Sequence, residues 1–135
     1  KVETRCVSVQ RITYDVPQRF VGHCHKARAL RWFRLDRVKR IAAAASPPFV
    51  RVAATEVEAF IAKSLDGFAG PRSAILCEVF VTRPIARWAA ENLPQGARAS
   101  VTDVDHGQVI TLRTSALEVL ARFVVGLGKD ARVLN

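Results

Sequence analysis

The chain has 135 residues, enough for one ordinary domain or two very small ones. Half of it is hydrophobic, which excludes a disordered chain, and no apolar run approaches the ~20 residues of a membrane-spanning helix. The 21 Lys and Arg against 12 Asp and Glu give a formal charge of +9, and the excess is uneven: residues 1–50 hold 11 basic and 3 acidic side chains, residues 51–100 hold 6 and 5, and residues 101–135 hold 4 and 4. Charge concentrated in the first third is that of one polyanion-facing surface, not of a generally basic protein.

In chain order, Val2, Cys6 and Val9 recur at i, i+4 and i+7, which predicts the last turns of a helix. Ile12, Tyr14 and Val16 alternate as a strand that Pro17 ends. Residues 19–25 alternate again, with Phe20, Gly22 and Cys24 on one face and Arg19, Val21, His23 and His25 on the other. After a polar connection, residues 30–38 form a second strand, with Arg31, Phe33, Leu35 and Arg37 on one face and Trp32, Arg34 and Asp36 on the other. The two make an antiparallel hairpin, and short, twisted, basic strands suggest a small barrel. Ser46-Pro47-Pro48 interrupts the chain. Thr55 then N-caps a helix whose stripe is Val57, Phe60, Ile61 and Leu65, and Gly67 to Pro71 reads as a linker.

Beyond the linker the pattern changes. Ala74–Val81 is a nearly continuous apolar run, read as a buried strand. Pro84 opens a helix with Ile85, Trp88, Ala89 and Leu93 on one side. Residues 98–104 and 107–113 are strands joined at Asp105-His106-Gly107. Ser115 caps a helix carrying Leu117, Leu120, Ala121, Val124 and Val125, and Arg132-Val133-Leu134 closes the sheet. The order β-α-β-β-α-(β) is that of helices on an antiparallel sheet, an α+β layer fold.

The strongest chemical signal is basic. Arg19, Lys26, Arg28, Arg31, Arg34, Arg37, Lys39 and Arg40 lie within 22 residues, interleaved with Phe20, Trp32 and Phe33. Guanidinium groups grip phosphate bidentately and flat rings stack on unpaired bases. The competing reading is a solvated strand face with the rings in the core. His23 and His25 point the same way, but only His106 remains as a third ligand, so no metal site is expected. Asp103, Asp105 and His106 are explained by turn chemistry. Gly126 to Asp130 follows a helix and has no Ser or Thr after its Lys, so it is not a phosphate loop. With no nucleophile–base pattern either, an enzyme and a cofactor are not expected. Cys6, Cys24 and Cys77 are odd in number and lack CxxC spacing, which reads as three reduced thiols of a cytoplasmic protein. The opening at Lys1, with no Met or leader, reads as a piece of a longer chain.

Gly22-His23-Cys24-His25 followed by Leu30-Arg31-Trp32-Phe33-Arg34-Leu35-Asp36-Arg37-Val38 resembles the WYL-domain family of bacterial transcription regulators, whose signature strand runs LRxFRLDRI. Gln18-Arg19-Phe20 stand where the namesake Trp-Tyr-Leu would be. The resemblance implies an Sm/SH3-like β-barrel domain over residues 1–54, a linker helix and loop over 55–70, and a ferredoxin-like β-α-β-β-α extension over 71–135. It also implies an upstream winged helix-turn-helix domain that binds target duplex DNA. It implies a homodimer, no membrane association, and an effector, short single-stranded DNA, as in members that respond to DNA damage. Arg31, Arg34 and Arg37 would hold phosphates, with Arg19, His23 and His25 in support and Trp32 as a stacking ring. A small nucleotide or phosphorylated metabolite, an RNA, or a purely dimerising role stay open as alternatives.

Overall fold

The computed structural model describes residues 1–135. The chain divides into two compact units, Lys1–Phe60 and Ile61–Asn135, with the division falling inside the stretch 55–70.

The first unit is built on three antiparallel strands, β1 (Val7–Ile12), β2 (Arg19–Cys24) and β3 (Ala29–Arg34), in the order β1-β2-β3. β2 and β3 form the expected hairpin, but β3 is shorter than expected, because the chain leaves the sheet at a 3-10 turn, Leu35–Arg37. β1 corrects two expectations. Residues 1–6 are not helical, and the strand is Val7–Ile12 and not Ile12–Val16. The cause is a bulge: Val9 pairs with Gly22 and Arg11 with Val21, leaving Gln10 over. The bulge shifts the alternation by one residue, so Val7, Val9 and Ile12 share a face that simple spacing does not assign to one strand.

The expected closed barrel is not formed: the sheet is open, because residues 38–53 supply no further strand. The segment Val50–Val52 returns to β1, yet side chains hold it in place of a backbone ladder. The Val50 N–H donates to Ser8 Oγ at 3.0 Å, Gln10 Nε2 donates to the Val50 carbonyl at 2.7 Å, and the Val52 N–H donates to Gln10 Oε1 at 3.1 Å.

Cross-strand partners share a face. One face carries Ser8, Arg11, Arg19, Val21, His23, Leu30, Trp32 and Arg34. Helix α1 (Ala54–Ala62) contributes to this side: Phe60 packs 6.1 Å from the Trp32 ring, and Glu58 pairs with Arg11 at 2.7 Å. The Glu56 and Val57 N–H groups both bond the Ala53 carbonyl, so Thr55 lies within the helix and does not cap it. The opposite face carries Val7, Val9, Ile12, Phe20, Gly22, Cys24, Ala29, Arg31 and Phe33. A Cβ at Gly22 would stand 2.3 Å from Val7 Cγ1 and 3.2 Å from the Ser8 carbonyl oxygen, so a larger residue there requires Val7 to shift.

The second unit comprises β4 (Ile75–Thr82), α2 (Arg83–Glu91), β5 (Ala99–Val104), β6 (Gly107–Thr114), α3 (Leu117–Gly126) and β7 (Ala131–Val133). The strands lie in the order β5-β6-β4-β7 with every neighbour antiparallel, so the α+β element order read from the sequence is present with its closing strand. Cys77, Val79, Val81, Ile110 and Leu112 form one core with Ala86 and Ala89 of α2 and Leu120 of α3, which places both helices on one sheet face. β4 alternates between buried and less buried positions, as a strand covered on one face must, and is not buried throughout.

Two helix stripes differ from expectation. Trp88 is 56% exposed, because the small Ala86 and Ala89 seat α2 against the sheet. On α3 it is Leu120, with Val119, Phe123 and Val124, that packs inward, while Leu117 and Val125 are exposed. Ser115 does not cap α3. Its Oγ accepts the buried Gly70 N–H at 3.0 Å and donates to the Lys63 carbonyl at 3.2 Å. Thus the Gly67–Pro71 stretch is fastened into the second unit, and at Gly70 a Cβ would meet the Ser115 carbonyl oxygen at 2.0 Å. No helix is long and apolar enough to cross a membrane.

Candidate anion-binding face

The hairpin register decides which basic groups meet. Arg19 stands directly opposite Arg34, Val21 opposite Trp32, and His23 opposite Leu30 and Ser8, all on the face that α1 joins. Arg31 stands opposite Gly22 on the other face, next to Phe33. Arg37 lies in the 3-10 turn and belongs to neither ladder. The three arginines matched to the signature therefore do not converge as one clamp. Positions 31 and 34 differ by an odd number, which puts them on opposite sides of a strand. Position 37 follows the point where the strand ends.

Their electrostatic states differ as well. Arg34 grips Asp36 bidentately, Nε to Oδ1 at 3.0 Å and Nη2 to Oδ2 at 2.5 Å. This hydrogen bonding holds the Asp36 carboxyl below its ordinary range and raises the guanidinium in return. Arg31 is exposed and makes no ion pair. Arg28, Arg37, Lys39 and Arg40 are exposed beside it in sequence, Arg28 with a positive φ of 53° in the hairpin turn. Lys26 is engaged: Glu3 takes Lys26 Nζ at 2.6 Å and Arg5 at 2.9 Å, and these two cations, Lys26 foremost, pull the Glu3 pKa down to about 2.

The aromatic expectation also changes. Trp32 is half-buried and tilted against Phe60 of α1, so it belongs to the interior side of the sheet. The rings beside the free arginine are Phe20 and Phe33, stacked with centroids 5.1 Å apart at 17°. The signal for them was present in the sequence. In a hairpin turning at residues 25–28, Phe20 and Phe33 fall opposite one another.

His23 and His25 do come together, perpendicular at 5.1 Å between centroids, and His25 Nε2 lies 2.8 Å from the buried Ser8 Oγ. Because that hydroxyl also accepts from Val50, the second histidine joins the bonds that hold the returning segment. His106 sits on the β5–β6 turn of the other unit, and nowhere are three His, Cys, Asp or Glu side chains gathered as metal ligands. Cys24 is buried, which by itself raises its thiol pKa. The backbone N–H groups of Ala27 and Lys26, with Arg5 Nη1 at 3.7 Å, outweigh burial and leave it below the ordinary value. The three cysteines are all free.

No protein-family profile matches the chain, and no curated protein matches it. Among solved structures it is similar to Proteasome accessory factor B/C (PafBC) of Arthrobacter aurescens, at 25% identity and a TM-score of 0.39. The alignment covers 97% of this chain and 19% of that one, so the chain spans about a fifth of that protein's length.

Chemically, the Arg31 face of the first unit offers one unpaired guanidinium beside a stacked pair of rings, and the α1-side face carries the guanidiniums of Arg11, Arg19 and Arg34 with the carboxylates of Glu58 and Asp36. The second unit offers a different environment. A cleft of about 770 Å³ there is lined by Phe68, Leu93 and Phe123 together with Asp66, Glu118 and Arg122, a lining with no surplus of positive charge.

Proposed function

We propose that the Lys1–Phe60 unit binds short single-stranded nucleic acid as an effector. In this reading the chain is the ligand-sensing, dimerising portion of a bacterial transcription regulator whose duplex-DNA-binding domain lies outside residues 1–135. The observation that carries the binding role is Arg31, exposed and unpaired on the same sheet face as the Phe20–Phe33 stack. A phosphate on a guanidinium next to a ring is the elementary unit of single-strand recognition, because every base has a π-face. The regulator role rests on the likeness of Leu30–Val38 to the WYL signature. Effector binding would act by population shift: ordering of the basic face, or of a dimer, favours a DNA-competent arrangement of the remaining domains.

Fluorescence anisotropy with labelled single-stranded DNA, duplex DNA and RNA at two salt concentrations tests this. The single strand binds best, and log K falls with log salt by ~0.7 per phosphate neutralised. Arg31→Ala weakens binding by roughly tenfold or more, the size of a lost hydrogen bond to a charged group. Phe33→Leu weakens it by about 1–3 kcal/mol if a base stacks there. Unchanged affinity in Arg31→Ala rejects the assignment. Stronger RNA binding moves the ligand to RNA, since the 2′-hydroxyl is the local distinction. A tight mononucleotide site indifferent to strand length moves it to a small nucleotide.

A further inference from the structure

The backbone pairing of β1 with β2 extends to Cys6, whose carbonyl takes the His25 N–H at 3.1 Å. Ahead of it, side chains tie residues 1–5 to the hairpin. Glu3 gives one oxygen to Lys26 Nζ at 2.6 Å and the other to Arg5 Nη2 at 2.9 Å. Arg5 Nη1 in turn donates to Cys24 Sγ at 3.7 Å. That sulfur fixes the face. Cys24 lies two residues from Gly22 on β2, and Gly22 is the partner of Arg31. Two residues further along are Phe20 and its partner Phe33. Successive rows on one face of a strand lie ~6.7 Å apart. The Arg5–Lys26 pair, Arg31 and the ring stack therefore follow one another along the hairpin, each within a nucleotide's reach of the next. Lys26 is 69% exposed, Glu3 47% and Arg5 37%, so the triad contributes little to stability and opens readily. It does hold two cations on the two oxygens of one anion, an arrangement that a phosphate also takes.

We propose that Arg5 and Lys26 are a second phosphate subsite of the single-strand site, filled in the free protein by Glu3, and that a bound strand displaces Glu3 and releases residues 1–5. The proposal rests on the single-strand reading above and gives that site a regulation. A phosphate in this clamp, the next one on Arg31 and a base on the rings belong to one strand, so each later contact is intramolecular once the first is made. Glu3 is a tethered competitor only two residues from Arg5, and it lowers the affinity that the open clamp would have. Displacing it couples occupation of the face to the order of residues 1–5, which is the differential contact that a population shift requires.

The test is fluorescence anisotropy of the full chain with a short 3′-labelled oligothymidylate. Glu3→Gln is expected to bind it roughly three- to fivefold tighter than wild type, the scale of an exposed ion pair. Arg5→Ala and Lys26→Ala each weaken binding by a similar factor. With both alanines present, adding Glu3→Gln changes nothing, since Glu3 then has no cation to withhold. Glu56→Gln on α1 makes the same change in net charge and leaves affinity within about twofold, because salt screens distant charges. A second readout does not depend on affinity. The Glu3 carboxyl carbon, followed by NMR, titrates at about 2 in the free protein and moves toward the ordinary 4.5 when strand is bound. No tightening in Glu3→Gln, tightening equal to that of Glu56→Gln, or a Glu3 titration unmoved by saturating strand overturns the proposal and leaves Arg31-dependent binding standing. Failure of wild type to bind the strand at all overturns both readings.

Discussion

Single residues carry distinct duties that composition alone would merge. Twelve basic side chains fall in residues 1–60, yet they are not equivalent: Arg34 and Lys26 face carboxylates, Arg11 is tied to Glu58, and Arg31 faces solvent. The Glu3 tie has a pH signature. Its folded pKa is depressed to about 2 from an ordinary 4.5, so whatever stability it contributes is complete above the ordinary value and is lost as pH falls toward about 2. An NMR titration of the Glu3 carboxyl carbon should show that low midpoint, and Lys26→Ala should return it toward 4.5. Packing makes a second residue-scale prediction. Ser115→Ala strands the buried Gly70 N–H, and a lost partner for a buried group costs about 1–3 kcal/mol. Urea denaturation should report a loss of that size, and Ser115→Thr, which keeps the hydroxyl, should recover part of it.

At the scale of elements, the segment Val50–Val52 is held by side chains, so its attachment and the β1–β2 ladder can be separated. Gln10→Ala is expected to speed amide exchange at Val52 strongly while leaving β2 amides protected, which hydrogen-exchange mass spectrometry can read. How far the elements were legible follows from the same physics. The β5–β6 hairpin was legible because two alternating runs flank Asp105-His106-Gly107, and His106 adopts the positive φ of 68° that such a turn needs. The β2–β3 pairing was legible for the same reason. β1 was not, because a bulge changes the phase of alternation and leaves no mark in residue type. The site was half legible. The basic hairpin is plain from the sequence, but alternation continued to Val38 puts Arg37 on a strand face, whereas the chain turns out of the sheet at Leu35. Trp32 and Trp88 show one shared limit. A large ring on a periodic stripe does not reveal whether its own face or its neighbours' small side chains make the contact.

At the scale of the whole chain, the two units differ in how they are stabilised. The continuous cluster that includes Leu65, Val79, Val81, Ile110, Leu112 and Leu120 lies entirely within Ile61–Asn135. The first unit buries few large side chains, chiefly Val21 and Val57. Apolar burial stabilises at about 25 cal/mol per Å², so the second unit should resist denaturant longer. Exchange under native conditions should find the slowest amides in β4 and β6 and markedly faster ones in β1 and β3. Equal protection of the two sheets would contradict this. The charge follows the same division, since residues 61–135 hold 9 basic and 7 acidic side chains, and the basic surplus sits on the less deeply packed unit.

The exposed stretch between the 3-10 turn and Val50 adds a practical handle. Residues 39–49 rejoin the sheet through a clasp that begins only at Val50. The entropy of closing such a stretch grows only with the logarithm of its length, about 0.6 kcal/mol per doubling. The stretch is therefore a tether whose length is nearly free. A fluorophore tag or a protease site inserted between Ala42 and Ala45 should leave both sheets intact, turning an otherwise silent loop into a port through which the order of the basic hairpin can be watched in solution.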